Sequence, residues 1–165
     1  MKAFNAAAAQ QKAYRLLSLR PHSEKELKKK LREKGFSPPV VEEVLEKLRE
    51  LKYLDDESFA RQWARNLAVN KLWGNKKIIL SLREKGIEGD LIGEAVEKAR
   101  QEISEEEAAE FLVNKKKSVK KGPELSPQKE KQRIFQSLLR RGFPAGLILQ
   151  KLGNIAQGDF DSDDG

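Results

Sequence analysis

Leu31-Arg32-Glu33-Lys34-Gly35-Phe36 returns as Leu82-Arg83-Glu84-Lys85-Gly86-Ile87 and, more loosely, as Leu138-Leu139-Arg140-Arg141-Gly142-Phe143. The three glycines stand 51 and then 56 residues apart, and self-similarity at such a period marks a chain built from one repeated unit. Each copy reads as a helix ending. A cation in the last turn favours the carbonyl end of the helix dipole, glycine takes the left-handed conformation that stops the helix, and the apolar residue after it packs back.

Working outward, Leu27, Ile78 and Ile134 lie four residues before Leu31, Leu82 and Leu138, so each pair shares a helix face. Val40, Leu91 and Leu147 follow the glycines by five residues. Val41, Ile92 and Ile148 come next, and Leu45, Val96 and Leu152 are in register farther on. The unit is therefore a helix, a glycine stop and a second helix, written three times. A further helix precedes each copy. Ala6 to Leu19 follows Asn5 as N-cap, Phe59, Trp63 and Leu67 stack on one face after Asp55, and Ala108, Phe111 and Leu112 line the inner side after Ser104. Ser23-x-x-Glu26 and Ser104-x-x-Glu107 have the spacing of capping boxes, and Leu54 with Phe59 fits a hydrophobic staple around Asp55. Val41, Val44, Leu45, Leu48 and Leu51 extend one apolar stripe. Nothing alternates with period two, so no sheet is expected.

These patterns predict an all-α chain of three tandem three-helix repeats, forming an elongated, curved array. The repeats run over residues 1–54, 55–102 and 103–157, and an acidic, disordered tail over 158–165. Gly122-Pro123 and Ser126-Pro127 mark a loop inside the third repeat.

Of 165 residues, 36% are charged and 7% aromatic, which suits a surface-rich helical array. The net charge is +7. Asp159, Asp161, Asp163 and Asp164 lie in the last seven residues, so the part before them sets 33 cations against 22 anions, a net of +11. Such a body favours a polyanion or an acidic protein surface as partner. With no cysteine there is no disulfide framework and no thiolate site. The first residues lack the apolar core of a signal peptide, and no apolar run approaches membrane-spanning length. The expected place is the cytoplasm, with no membrane partner.

Catalysis finds no constellation to rest on. His22, the one histidine, reads as a loop residue between Pro21 and Ser23 with no orienting partner. Gly86-Ile87-Glu88-Gly89 lacks the Lys-Ser/Thr of a nucleotide loop, and no metal-ligand spacing occurs. The Phe59, Trp63, Leu67 stripe, a possible platform for bases, reads as core. What remains are basic clusters in matching helices: Lys28, Lys29 and Arg32; Lys76, Lys77 and Arg83; Lys129, Lys131, Arg133 and Arg140. Stacked regularly, they would present a basic strip able to track a regular polyanion or a regular protein polymer. Lys34, Lys85 and Arg141 are weaker candidates, because the helix dipole already accounts for them.

Tyr53-Leu54-Asp55-Asp56-x-x-Phe59-Ala60 resembles the signature of the RecX family of bacterial regulatory proteins. So do Ser23-Glu24-Lys25-Glu26-Leu27 leading to Lys34-Gly35-Phe36, and Arg140-Arg141-Gly142-Phe143, in the family's order over about residues 10–153. The resemblance implies tandem three-helix repeats and a regulator that binds the RecA filament on DNA and restrains its recombinase and ATPase activity. It places the chain in DNA recombination and repair and the SOS response, as a monomer with no enzymatic activity and no cofactor. Single- or double-stranded DNA is a further candidate partner, and a plain DNA-binding helical-repeat protein is the alternative. The matched Gly35, Asp55, Phe59, Gly86 and Gly142 look like fold determinants, so the resemblance hands over no binding-site list.

Overall fold

The computed structural model describes residues 5–118 and 126–160, the side chains of 118 and 154–160 excepted. The described residues form helices joined by short connections, and no strand occurs among them. The helices are α1 Ala6–Leu19, α2 Glu24–Glu33, α3 Pro38–Glu50, α4 Asp56–Arg65, α5 Asn75–Glu84, α6 Gly89–Glu102, α7 Glu105–Ser118, α8 Pro127–Arg140 and α9 Ala145–Phe160. A π-helical turn, Asn66–Asn70, extends α4.

The glycine stops take the expected form. Gly35, Gly86 and Gly142 have φ of 96°, 80° and 91°. The N–H of Phe36, Ile87 and Phe143 donates to the carbonyl of Leu31, Leu82 and Leu138 at 3.3, 3.1 and 3.2 Å. The glycine N–H groups reach Arg32, Arg83 and Leu139 in the same pattern. These are Schellman endings, with the apolar residue after the glycine buried in all three copies. The repeat also holds at the level of burial. Leu27, Ile78, Ile134, Leu31, Leu82 and Leu138 are fully buried, as are Val41, Ile92, Ile148, Leu45, Val96 and Leu152 to within a few per cent, while Val40, Leu91 and Leu147 are half-buried.

Compactness divides the chain otherwise than by triplets. One unit comprises residues up to Trp63 together with Ser81–Ala95, the other Ala64–Leu80 with residues from Val96 on. In the first, α1, α2 and α3 pack mutually around Ala9, Ala13, Leu27, Leu31, Phe36, Val41, Val44, Leu45, Leu48 and Leu54. In the second, α7, α8 and α9 do the same around Ala108, Ala109, Leu112, Val113, Ile134, Leu138, Phe143, Ile148 and Leu152. Each fully buried leucine contributes about 1.5–3 kcal/mol.

Helix starts follow the sequence closely. Asn5 Oδ1 accepts from the Ala8 N–H at 2.9 Å, and Asp55 Oδ1 from Ser58 at 3.2 Å. Ser23 and Glu26 form both halves of a capping box, and Ser104 Oγ accepts from Glu107 at 3.0 Å. Arg20 is extended, as the residue before Pro21 must be, and α1 ends at Leu19.

Four expectations are corrected. Phe111 is 54% exposed, because α7 buries the stripe of Ala108, Ala109, Leu112 and Val113 and leaves Phe111 on its flank. Leu51 is 48% exposed. It caps α3, after which Lys52 turns at φ 61° and the N–H groups of Tyr53 and Leu54 both bond the Leu48 carbonyl, so that Leu54 takes the buried place. The aromatic stripe of α4 is only partly core. Phe59 and Leu67 are buried, but Trp63 is half-buried, stacked on Phe59 at 5.5 Å with its indole N–H donating to Ser81 Oγ at 2.9 Å. Finally, α9 reaches Phe160, into the stretch assigned to the acidic tail; 161–165, and most of the loop expected around Gly122-Pro123, lie outside the described residues.

His22 sits in its connection as predicted but is buried, with 4% of its surface accessible. Its Nδ1 lies 2.9 Å from the Arg20 carbonyl and its Nε2 2.8 Å from Lys30 Nζ. A carbonyl only accepts and an ammonium only donates, so the ring is neutral with its proton on Nδ1. Burial holds its pKa below the usual 6.5, and the charges of Arg20 and Lys30 act the same way. The folded chain thus binds its proton less readily than the unfolded one. The stabilisation is present above about pH 6.5 and is lost as pH falls below that value towards the lower pKa of the folded ring. A proton NMR titration should find this single histidine titrating below its ordinary range; a midpoint at or above 6.5 would rule out the neutral, buried ring.

Candidate functional site

In the first unit an ionic cluster holds the start of α2. Glu26 is bonded by Arg20 at 2.5 Å, by Lys85 Nζ at 2.8 Å and by the Ser23 N–H at 3.2 Å. Burial disfavours its charge, yet these three donors outweigh burial and pull its pKa down to about 2. Ser23 Oγ donates to the Lys85 carbonyl at 2.6 Å. The Arg20 guanidinium and Lys85 ammonium also lie over the Trp63 ring, 5.6 and 5.0 Å from its centroid. Lys85 is thereby a structural residue, more than the helix dipole alone would make it.

In the second unit the connector between the π-helical turn and α5 is held from several sides. Leu72 has φ 54°. Arg141 donates to the Lys71 carbonyl at 2.7 Å, and the Gly74 N–H donates to the Arg141 carbonyl at 2.7 Å. Arg100 reaches the Trp73 carbonyl at 2.8 Å and Asn75 Oδ1 at 2.7 Å, while Glu105 accepts the Asn75 N–H at 2.6 Å. Lys77 Nζ stands 3.9 Å above the Trp73 ring.

The predicted cations divide accordingly. On α2, Lys29 and Arg32 are exposed, and Lys28 pairs with Glu42 at 2.9 Å. On α5, Lys76 and Arg83 are exposed and Lys77 is half-buried against Trp73. On α8, Lys129, Arg133 and Arg140 are exposed on one face, four and seven residues apart, and Lys131 is half-buried away from it. Of these, the second unit brings Arg133 and Arg140 together with residues the sequence did not single out as a site. They line a cleft of about 450 Å³ with Leu112, Lys115, Lys116, Ser137 and Arg141. Burial first, and then the like charges of Arg141, Arg133, Arg140 and Lys115, hold the Lys116 pKa below its usual value. The run Lys115-Lys116-Lys117 was visible in the sequence; that the packing of α7 on α8 would bring it beside Arg133 was not.

The first unit carries a smaller collection of cations in the same part of its triplet, between the first helix and the end of the second. This cleft, of about 550 Å³, is lined by Ala8, Gln11, Lys12, Arg15, Lys34 and Phe36. Lys34 and Arg141, each just before a stop glycine, take equivalent places in the two clefts. Both arrangements can hold an anion by charge and guanidinium hydrogen bonds. Among the described residues, no group of three or more His, Cys, Asp or Glu side chains gathers as for a metal ion, and no helix is long and apolar enough to cross a membrane.

Comparison with known proteins bears on what such surfaces serve. Three family models match in succession: RecX, first three-helix domain, at residues 9–48; second three-helix domain at 55–96; third three-helix domain at 104–152. The regulatory protein RecX of Prosthecochloris aestuarii is 36% identical over 141 residues, covering 84% of this chain and 87% of the relative. That of Bacillus subtilis is 34% identical over 144 residues, 87% of this chain and 53% of the longer relative. The crystal structure of RecX from Lactobacillus salivarius superposes with a TM-score of 0.70 at 24% identity, over 92% of this chain and 97% of that one, a likeness of fold. A further crystal structure of a regulatory protein RecX gives 0.68 at 29% identity, over 90% and 73%.

Proposed function

Since the chain belongs to the RecX family of regulatory proteins, we propose that it binds the RecA–DNA nucleoprotein filament and lowers its recombinase and ATPase activity, and so modulates DNA recombination and repair. The succession of all three three-helix domains, each carrying exposed cations, is the observation that supports this reading. Each domain adds a weak contact, and covalent linkage multiplies them, with effective concentrations on the order of mM for short linkers. Bound along the filament, the chain obstructs entry of a second DNA or addition of subunits. It acts as a cytoplasmic monomer without catalysis or cofactor.

A second reading, a protein that binds DNA by itself, is favoured by the cationic cleft between α7 and α8. Co-sedimentation with RecA filaments, beside free DNA and free RecA, separates the two. Preference for the filament supports the first, and equal binding to naked DNA the second. Reversing the exposed Lys76 and Arg83 to glutamate, while sparing Lys77 for its contact with Trp73, should leave helicity intact and weaken filament inhibition severalfold. Each exposed pair is worth about 0–1 kcal/mol, and the effect should fade as salt rises. Inhibition at wild-type strength in the variant would remove these two cations from the docking surface.

A further inference from the structure

The cleft between α7 and α8 has the makings of a specific binding site. Five cations converge on it, three of them arginines, and its floor includes the apolar Leu112. No carboxylate or aromatic side chain is among its described lining residues. A guanidinium fork matches phosphate oxygens two at a time, which an ammonium cannot do. Arg133 and Arg140 are seven residues apart on one helix face, a span of about 10.5 Å. One strand of a duplex places a phosphate about every 3.4 Å of helix rise, and an unpaired strand spaces its phosphates more widely, so the span meets more than one phosphate but not a long run of them. A lining without aromatic rings offers nothing for a base to stack on, so contact falls on the backbone.

We infer that this cleft is a phosphodiester site, through which the third three-helix domain holds the backbone of a single DNA strand without regard to sequence. The inference deepens the filament reading, which supplies a strand of phosphates at the docking surface. Arg133 and Arg140 are the direct ligands to test. Arg141 also supports the Lys71 carbonyl, so altering it would confuse binding with folding.

The test uses the full chain and a fluorescein-labelled oligothymidylate, read by anisotropy over a series of salt concentrations. Arg133→Glu/Arg140→Glu should lose at least tenfold in affinity at low salt. Its slope of log affinity against log salt should be shallower by about 1.4, since each contact to a single-strand phosphate contributes about 0.7. Arg133→Gln/Arg140→Gln should show the same direction with a smaller loss, and far-ultraviolet circular dichroism should be unchanged in both. Wild-type affinity and slope in both variants would overturn the site. So would displacement of the oligonucleotide by inorganic phosphate at equal phosphate concentration, which would make it a small-anion site. Preferential binding of polyaspartate over the oligonucleotide would overturn it in favour of an acidic protein segment. Co-sedimentation with RecA filaments keeps the two proposals apart. Wild-type protein that binds the oligonucleotide but not the filament overturns the filament reading and leaves the cleft standing. Variants that bind both like wild type overturn the cleft and leave the filament reading standing.

Discussion

Gly142→Ala is expected to melt about 10 °C below the parent chain. Two costs add. At φ 91° an L-residue is strained by about 1–2 kcal/mol. An added Cβ would also stand 2.5 Å from Lys77 Cβ and 2.6 Å from the Lys77 backbone N, which cannot swing aside as a side-chain tip can; overpacking of this kind costs about 1–3 kcal/mol. Together they amount to about 3 kcal/mol, and each kcal/mol lowers the melting temperature of a chain this size by about 2–4 °C. Gly74→Ala should rival it, because its Cβ would meet the Gly142 carbonyl carbon and oxygen at 2.4 Å. Gly93 is the contrast. It lies inside α6 with nothing within 4 Å of an added Cβ, so Gly93→Ala should raise stability by up to about 1 kcal/mol. Calorimetric scans of the three variants check the order; a Gly142→Ala chain that melts with the parent would refute the tight ending assigned to α8.

Glu26→Ala should cost about 3 kcal/mol, the second large effect. The carboxylate side chain is only 10% exposed, and its removal leaves Arg20 and Lys85 facing each other without their shared anion and the Ser23 N–H without its cap. Breaking such a pair typically costs about 3–5 kcal/mol when fully buried. The same group makes stability depend on acid. Its pKa is about 2 in the folded chain against an ordinary 4.5, so the unfolded chain binds the proton first. The stabilisation is complete above about pH 4.5 and is lost as pH falls towards 2, again about 3 kcal/mol in all. Urea unfolding at pH 7 and pH 3 should show a large loss in the parent and a much smaller one in Glu26→Ala. Equal losses in the two proteins would mean that Glu26 does not carry this acid sensitivity.

What was legible in the sequence is what local chemistry settles. A glycine after a charged last turn, a serine three residues before a glutamate and an apolar residue every third or fourth position each act within a few residues. All three stop glycines and the buried positions around them were readable for that reason. Lys52 and Leu72 were not, since both take positive φ without being glycine and only their surroundings hold them there. The π-helical turn at Asn66–Asn70 has no marker of its own in the sequence. Phe111 looks apolar at the right spacing, yet the face of α7 that turns inward is fixed by what α8 and α9 bring to it. His22 looks like a loop residue until Lys30, eight residues on, proves to bond its ring. The cleft follows the same logic. Arg133 and Arg140 share a face by spacing alone, whereas Lys115, Lys116 and Arg141 join them only through packing.

The two tryptophans have a use beyond their packing. Trp63 belongs to one compact unit and Trp73 to the other, and each ring is half-buried beneath a cation. Indole emission responds to a nearby positive charge and to water, so each unit carries its own intrinsic fluorophore, placed where loss of local structure changes both. Trp63→Phe and Trp73→Phe chains would leave one emitter apiece. Denaturation could then be followed unit by unit in the unlabelled protein, and a difference between the two transition midpoints would be seen directly as two colours of light shifting at different points.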